Sequence, residues 1–256
     1  MLPFVAYHYF LAENYLSYAD SEKDLGVHIN TNFSFTDHCE KFLTSANQKF
    51  GILKRTCSFV KDQKRRRVLY LSLVRSQFEH CSPVWRPSSA TMRDKFENFQ
   101  KKCIKWILHE SNLSYSNEVY LRKCKQLNIL PLSYRFDTND VILFYKIIHS
   151  LIPVNMPNYL TLFNGNSRLR STHLDKLSFV CSLATSTAGN RTLNKSFFFR
   201  SHLLWNTLPF DTRNSSTLSE FKHRLYQHFR LLTVPEQSES DEEWSFLSSD
   251  ENSNTI

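Results

Sequence analysis

"DLGVHINTNFSFTDHCEKFLTSANQKFGIL", residues 24–53, changes its apolar period part-way along. Leu25, Val27 and Ile29 alternate with Gly26, His28 and Asn30, which predicts a short half-buried strand. After the turn-forming Asn30-Thr31-Asn32, the apolar positions Cys39, Phe42, Leu43, Ala46, Phe50 and Leu53 recur at steps of three and four. That spacing predicts a helix, with Thr36 or Asp37 available to cap its start. The switch from a period of two to one of 3.6 sets a mainly helical fold behind a short strand.

The pattern continues downstream. Residues 62–80 predict a second helix, buried through Val68, Leu71, Val74 and Phe78 and ended by Ser82-Pro83. Residues 91–108 predict a third, in which Met92, Phe96, Phe99, Cys103, Trp106 and Ile107 share a face, so the three together predict a small bundle. Asn128-Ile129-Leu130-Pro131-Leu132 links to a helix carrying Val141, Phe144, Tyr145, Ile148 and Leu151, which Ile152-Pro153 stops. From 157 to 194 the chain is polar and irregular, with turn signals at Asn164-Gly165-Asn166 and Ala188-Gly189-Asn190 and a short strand at Phe179-Val180-Cys181. Ser196 to Pro209 is aromatic and reads as core. A last helix, capped by Thr217 with Glu220 three residues on, presents Leu218, Phe221, Leu225, Phe229 and Leu232.

Composition agrees with helices. Of 256 residues, 41% are hydrophobic and 21 are Phe, while only 4 are Gly, too few for glycine-rich phosphate loops or a many-turned sandwich. The six cysteines at 39, 57, 81, 103, 124 and 181 form no C-x-x-C pair. His38-Cys39 and His80-Cys81 are sequence neighbours, which point about 100° apart on a helix, so reduced buried thiols fit better than zinc. The apolar start, MLPFVAYHYFLA, lacks a basic n-region, and no run approaches the ~20 apolar residues of a membrane span. An intracellular protein of the nucleus or cytoplasm, without membrane attachment, is expected.

No G-x-S-x-G, H-E-x-x-H or Walker motif is present, so the informative chemistry is basic. Lys54 and Arg55 end the first predicted helix, and Lys61, Lys64, Arg65, Arg66 and Arg67 open the second. Those seven cations fall within fourteen residues. Lys101, Lys102 and Lys105 on the third helix, and Arg122, Lys123 and Lys125 beyond it, add to them. Such a cluster suits contact with successive phosphates; a solvated face and a nuclear-import signal are the alternatives. The net charge is +8, but seven acids (Glu236, Glu239, Asp241, Glu242, Glu243, Asp250 and Glu251) and no Lys or Arg follow Arg230, leaving +15 on the rest. This Ser-rich acidic tail, 233–256, is expected to be disordered, serving as a solvated end or as an internal mimic of nucleic acid.

Several blocks resemble a known family. Ser21 to Val27 (SEKDLGV), Phe33 to His38 (FSFTDH), Leu69 to Ser76 (LYLSLVRS), Glu79 to Trp85 (EHCSPVW), Phe144 to His149 (FYKIIH) and the Ser196–Pro209 segment are similar, in order, to reverse transcriptases of non-LTR retrotransposons of the LINE or jockey type. In that family the region lies just after the palm. The resemblance, over about residues 21–230, implies a thumb-like three-helix bundle at 21–110 that packs against an RNA–DNA hybrid or duplex, a C-terminal extension at 111–232, and a non-matching N-terminus at 1–20. The activity it brings to mind is RNA-directed DNA polymerase, which uses Mg. Two-metal phosphoryl transfer requires carboxylates from several palm segments, and these are missing here. Tyr18-Ala19-Asp20-Ser21 imitates the family's metal-binding Tyr/Phe-x-Asp-Asp box but sits directly against Asp24-Leu25-Gly26-Val27, with no room for the intervening palm strands. The resemblance therefore implies a truncated, non-catalytic chain with no cofactor, whose phosphate contacts are Lys54, Arg55, Lys64, Arg65, Arg66 and Arg67, and in which Trp85 packs the bundle. A protein-interaction scaffold built on an old thumb and a translated relic are the competing expectations.

Overall fold

The computed structural model describes residues 9–16, 18–110, 115–163, 175–183 and 195–233. The expectations for the first eight residues, for Asn164-Gly165-Asn166, for Ala188-Gly189-Asn190 and for the acidic tail beyond Thr233 lie outside the described residues. The fold is mainly helical, with short antiparallel strand pairs.

Two hairpins open it: β1 (Tyr9–Leu11) with β2 (Asn14–Leu16), and β3 (Ser21–Asp24) with β4 (Val27–Asn30). Leu25, expected in the strand, is instead the first residue of a two-residue turn, since Asp24 pairs directly with Val27. Leu25 has φ 46° and Gly26 φ 88°, the double positive φ that a tight hairpin requires. Gly26 adopts it freely and Leu25 at a steric cost, which leaves the Leu25 side chain 81% exposed. His80 Nε2–H donates to the Leu25 carbonyl at 3.0 Å and holds the turn.

Helix α1 (Thr36–Thr56) buries Cys39, Ala46, Phe50 and Leu53, as its period predicts. Neither expected cap acts as one. Phe35 is the N-cap without a side-chain bond, while Asp37 accepts from Asn30 Nδ2 at 3.0 Å and Thr36 Oγ1 pairs with Ser34 Oγ at 3.1 Å. The second helix is shorter than expected. α2 (Gln63–Leu73) is capped by Asp62 and gives way to a 3-10 turn, Arg75–Glu79, before the one-turn α3 (Ser82–Trp85). Its buried face is Arg66, Tyr70 and Val74, and Val68 is 58% exposed. Of the expected face, Val74 and Phe78 are buried and Leu71 packs partly buried against the first core, while Val68 is displaced because Arg66 and Tyr70 take the inward positions.

α4 (Ala90–Leu108), capped by Ser89, crosses α1 and α2. α5 (Asn117–Gln126) follows, with Ser116 as its cap, and then α6 (Leu132–Ile148). α6 stops before Leu151, which is 54% exposed and not on the expected face. β5 (Leu160–Leu162) pairs with β6 (Phe179–Cys181), the strand expected there. α7 (Phe197–Thr207), α8 (Phe210–Arg213) and α9 (Leu218–Leu231) complete the described chain. Thr217 caps α9, but Glu220 reaches back to the Ser216 amide at 3.1 Å, one residue earlier than a standard capping box.

Two apolar cores result. The first runs from Val27 to Phe136; the second takes Val141, Phe144 and Tyr145 from α6 and continues to Phe229, so α6 serves both. Trp85, 1% exposed, lies within 6.0 Å of the rings of Phe42, Phe96 and Phe136. Cys39, Cys103 and Cys124 are buried as free thiols in the first core. A polar chain crosses that core at Gln100, which is fully buried. Its carbonyl accepts from the Tyr70 hydroxyl (3.0 Å) and from Arg75 (3.1 Å), and its amide donates to Tyr120 (3.0 Å) and to the Leu130 carbonyl (2.9 Å). The Tyr120 hydroxyl donates to Glu97, whose carboxylate accepts the Leu132 and Ser133 amides and so caps α6. Between the cores, Asp140 is bound by Arg86 at 2.8 Å and Arg200 at 3.1 Å, while Arg86 also pairs with Asp137.

Candidate nucleic-acid interface

The basic cluster sits where the C-termini of α1, α4 and α5 meet the N-terminus of α2. Phe50 of α1 contacts Phe99 and Trp106 of α4, with ring centroids 5.9 and 5.8 Å apart, which brings the last turns of both helices together. His109 Nε2–H donates to the Lys61 carbonyl at 2.8 Å and fastens the α1–α2 loop to the end of α4. The Cys103 thiol, pushed up by burial, is drawn the other way by the charges of Lys102 and Lys54, which flank it from two helices.

Within this junction the candidates divide by role. Lys54, Arg55, Lys61, Lys64, Arg65 and Lys102 are exposed. Lys54 Nζ stands over Phe50 at 5.8 Å, and Arg65 makes a loose 3.6 Å pair with Asp62. Arg66 is different: it is 6% exposed, its Nε donates to the Val60 carbonyl at 2.6 Å, and its Nη1 donates to the Trp106 carbonyl while the guanidinium covers the Trp106 ring at 4.8 Å. Arg67 donates to the Leu127 and Asn128 carbonyls just past α5. Both arginines satisfy carbonyls near helix C-termini, and Arg66, 6% exposed, offers little surface to a phosphate. The expectation that it touches one gives way to a structural role.

Lys101 and Lys105 turn toward α5 rather than α1. Lys101 donates to Asn117 Oδ1 at 3.1 Å and stands over Tyr120; Lys105 stands over Tyr115 at 5.1 Å. Lys123 pairs with Glu110 at 2.7 Å, a bond that holds the Glu110 carboxyl below its ordinary range together with the Tyr115 hydroxyl. Arg122 faces Glu118 at 4.0 Å, whereas Lys125 is exposed in the last turn of α5. Positive side chains at three C-termini also complement the helix dipoles, worth about 0.3–1 kcal/mol each at exposed sites. Dipole complementation accounts for Lys105 and Lys123, yet not for Lys61 and Lys64, which lie in a loop and at an N-terminus where the dipole disfavours them.

Asp20 lies in a bend and its carbonyl accepts from the Thr31 amide at 3.1 Å, part of the β3–β4 hairpin and not of a carboxylate pair. Among the described residues no group of three or more His, Cys, Asp or Glu is arranged to hold a metal ion. No described helix is long and apolar enough to cross a membrane. Compared with protein-family models, with curated proteins and with solved structures, the chain gives no match.

Proposed function

We propose that this chain is a non-catalytic nucleic-acid-binding protein derived from the thumb region of a non-LTR retrotransposon reverse transcriptase, gripping RNA–DNA hybrid or duplex through backbone phosphates. The observation that carries it is the exposed set Lys54, Arg55, Lys61, Lys64, Arg65 and Lys102 at a single helix junction, with Asp62 as the acid beside it. The sequence blocks resembling that family support the source. An interface of this kind neutralises phosphates and releases counterions, so log K should fall with log salt at a slope of about −4 to −5 for five contacts. Retention of a labelled 20-base-pair hybrid over a salt series tests this. Triple reversal of Lys54, Lys61 and Lys64 to Glu should flatten the slope and weaken binding at least about 100-fold at low salt; a wild-type chain that retains no hybrid at low salt sinks the proposal. Templated, metal-dependent primer extension by the purified chain would overturn the non-catalytic half.

A specific observation favours a second function. Tyr9, Phe10, Leu11 and Leu16 on the first hairpin are 48–69% exposed, an apolar surface suited to a protein partner. Salt separates the two: binding through that hairpin would persist at salt concentrations that release a phosphate backbone.

A further inference from the structure

The basic junction and the acidic tail belong to one chain, and the last described helix, α9, ends near α2 and the α5–α6 link. Arg230, in the last turn of α9, lines a cavity of about 400 Å³ together with Leu71 of α2, Asn128 and Leu130. The Asn128 carbonyl is held at 3.0 Å by Arg67 of α2. Lys64 lies three residues before Arg67, about 4.5 Å along the helix axis, and Lys125 lies three residues before Asn128. Thr233, the last described residue, follows Arg230 by three positions and its amide donates to the Arg230 carbonyl at 3.2 Å. The first acid of the tail, Glu236, is three residues further on. Residues 234–256 can span up to about 75 Å if extended, more than enough to cross the face.

Charge supplies the complementarity. The tail brings seven carboxylates and no cation, and the described chain offers seven exposed cations, Lys54, Arg55, Lys61, Lys64, Arg65, Lys102 and Lys125. We propose that the acidic segment 236–251 docks on this face as an internal competitor for phosphate, so that polyanions bind only by displacing it. The competition rests on the nucleic-acid function proposed above; the docking does not. A tethered segment acts at an effective concentration near the millimolar range. A contact with an intrinsic Kd of about 0.1 mM would then lower apparent polyanion affinity about tenfold.

Two measurements on the full chain test it. Zero-length carbodiimide cross-linking at low salt should join tail carboxylates to Lys54, Lys61, Lys64, Lys102 or Lys125, and those cross-links should fade on raising salt. Cross-links that avoid these lysines overturn the docking. The second compares the wild-type chain with one carrying Glu236→Gln, Glu239→Gln, Asp241→Asn, Glu242→Gln, Glu243→Gln, Asp250→Asn and Glu251→Gln, using the labelled hybrid. The neutralised chain should bind about tenfold tighter at low salt, with the gap closing at high salt; equal affinities overturn the competition. If neither chain retains hybrid while the cross-links form, the docking stands and the nucleic-acid function falls.

Discussion

At the scale of single residues, two neighbours in the KRRR run have opposite roles. Arg66 closes carbonyls of the α1–α2 loop and of α4, and Arg65 is 81% exposed at its side chain. Hydrogen bonds from a charged donor contribute about 1.5–3 kcal/mol each. Arg66→Ala should therefore lower unfolding free energy by about 2–4 kcal/mol, and Arg65→Ala by less than about 0.5 kcal/mol, as read from urea midpoints. A second residue sets a pH dependence. Burial, reinforced by His28, His80 and Lys23, pulls His38 from 6.5 down to about 4. A base held below its unfolded value takes up its proton on unfolding, so His38 imposes no penalty above pH 6.5 and drains stability as pH falls toward 4. The slope in that window reaches about 1.4 kcal/mol per pH unit. In paired urea titrations from pH 7 to pH 4.5, His38→Phe should lose less stability on acidification than the wild type; parallel losses would contradict the assignment.

At the scale of elements, what the sequence could disclose depended on which side chains faced inward. α1, α4 and α9 were legible because their inner faces are mostly apolar, with His38 and Gln100 the polar exceptions, and Phe50, Phe99 and Phe221 fall where periodicity puts them. α2 was legible only in part: Val74 and Phe78 are buried as their spacing predicts, but Arg66 and Tyr70 share the inner face and leave Val68 outside. α5 went unpredicted although Tyr120, Cys124 and Leu127 are buried at helical spacing behind a Ser116 cap; its lysines drew attention to charge instead. The basic junction was visible as composition. Which cations stay exposed was not, since that depends on carbonyls 40 to 60 residues away. The polar chain at Gln100 was equally hidden. Gln100→Leu would take a partner from Tyr70, Arg75 and the Leu130 carbonyl and leave the Tyr120 hydroxyl with Glu97 alone, and a buried unpaired group costs about 1–3 kcal/mol. A loss of about 3 kcal/mol is expected, with earlier hydrogen exchange around the α5–α6 link, where the Leu130 carbonyl would lose the Gln100 amide.

At the scale of the whole molecule, the two cores are joined by the continuous α6 and by the Arg86–Asp140–Arg200 cluster, in which the Asp140 side chain is 1% exposed. Removing one partner of a buried ion pair costs about 3–5 kcal/mol; without Asp140, Arg200 would lose its carboxylate partner and Arg86 would be left with Asp137 alone. Asp140→Ala should lower the melting temperature and split one thermal transition into two by calorimetry; a single transition at an unchanged temperature would show that α6 alone couples the cores. The thiols add one more consequence. Cys39 and Cys124 are pushed up to about 12 by burial, and Cys103 well above its ordinary value, so these three sulfurs stay unreactive while the first core is shut. Their alkylation needs the core to open. The chain thus carries its own stopwatch: under a fixed excess of iodoacetamide, the rate at which those three cysteines acquire mass counts how often the first core breathes, with the second core and its half-buried Cys181 as the internal fast channel.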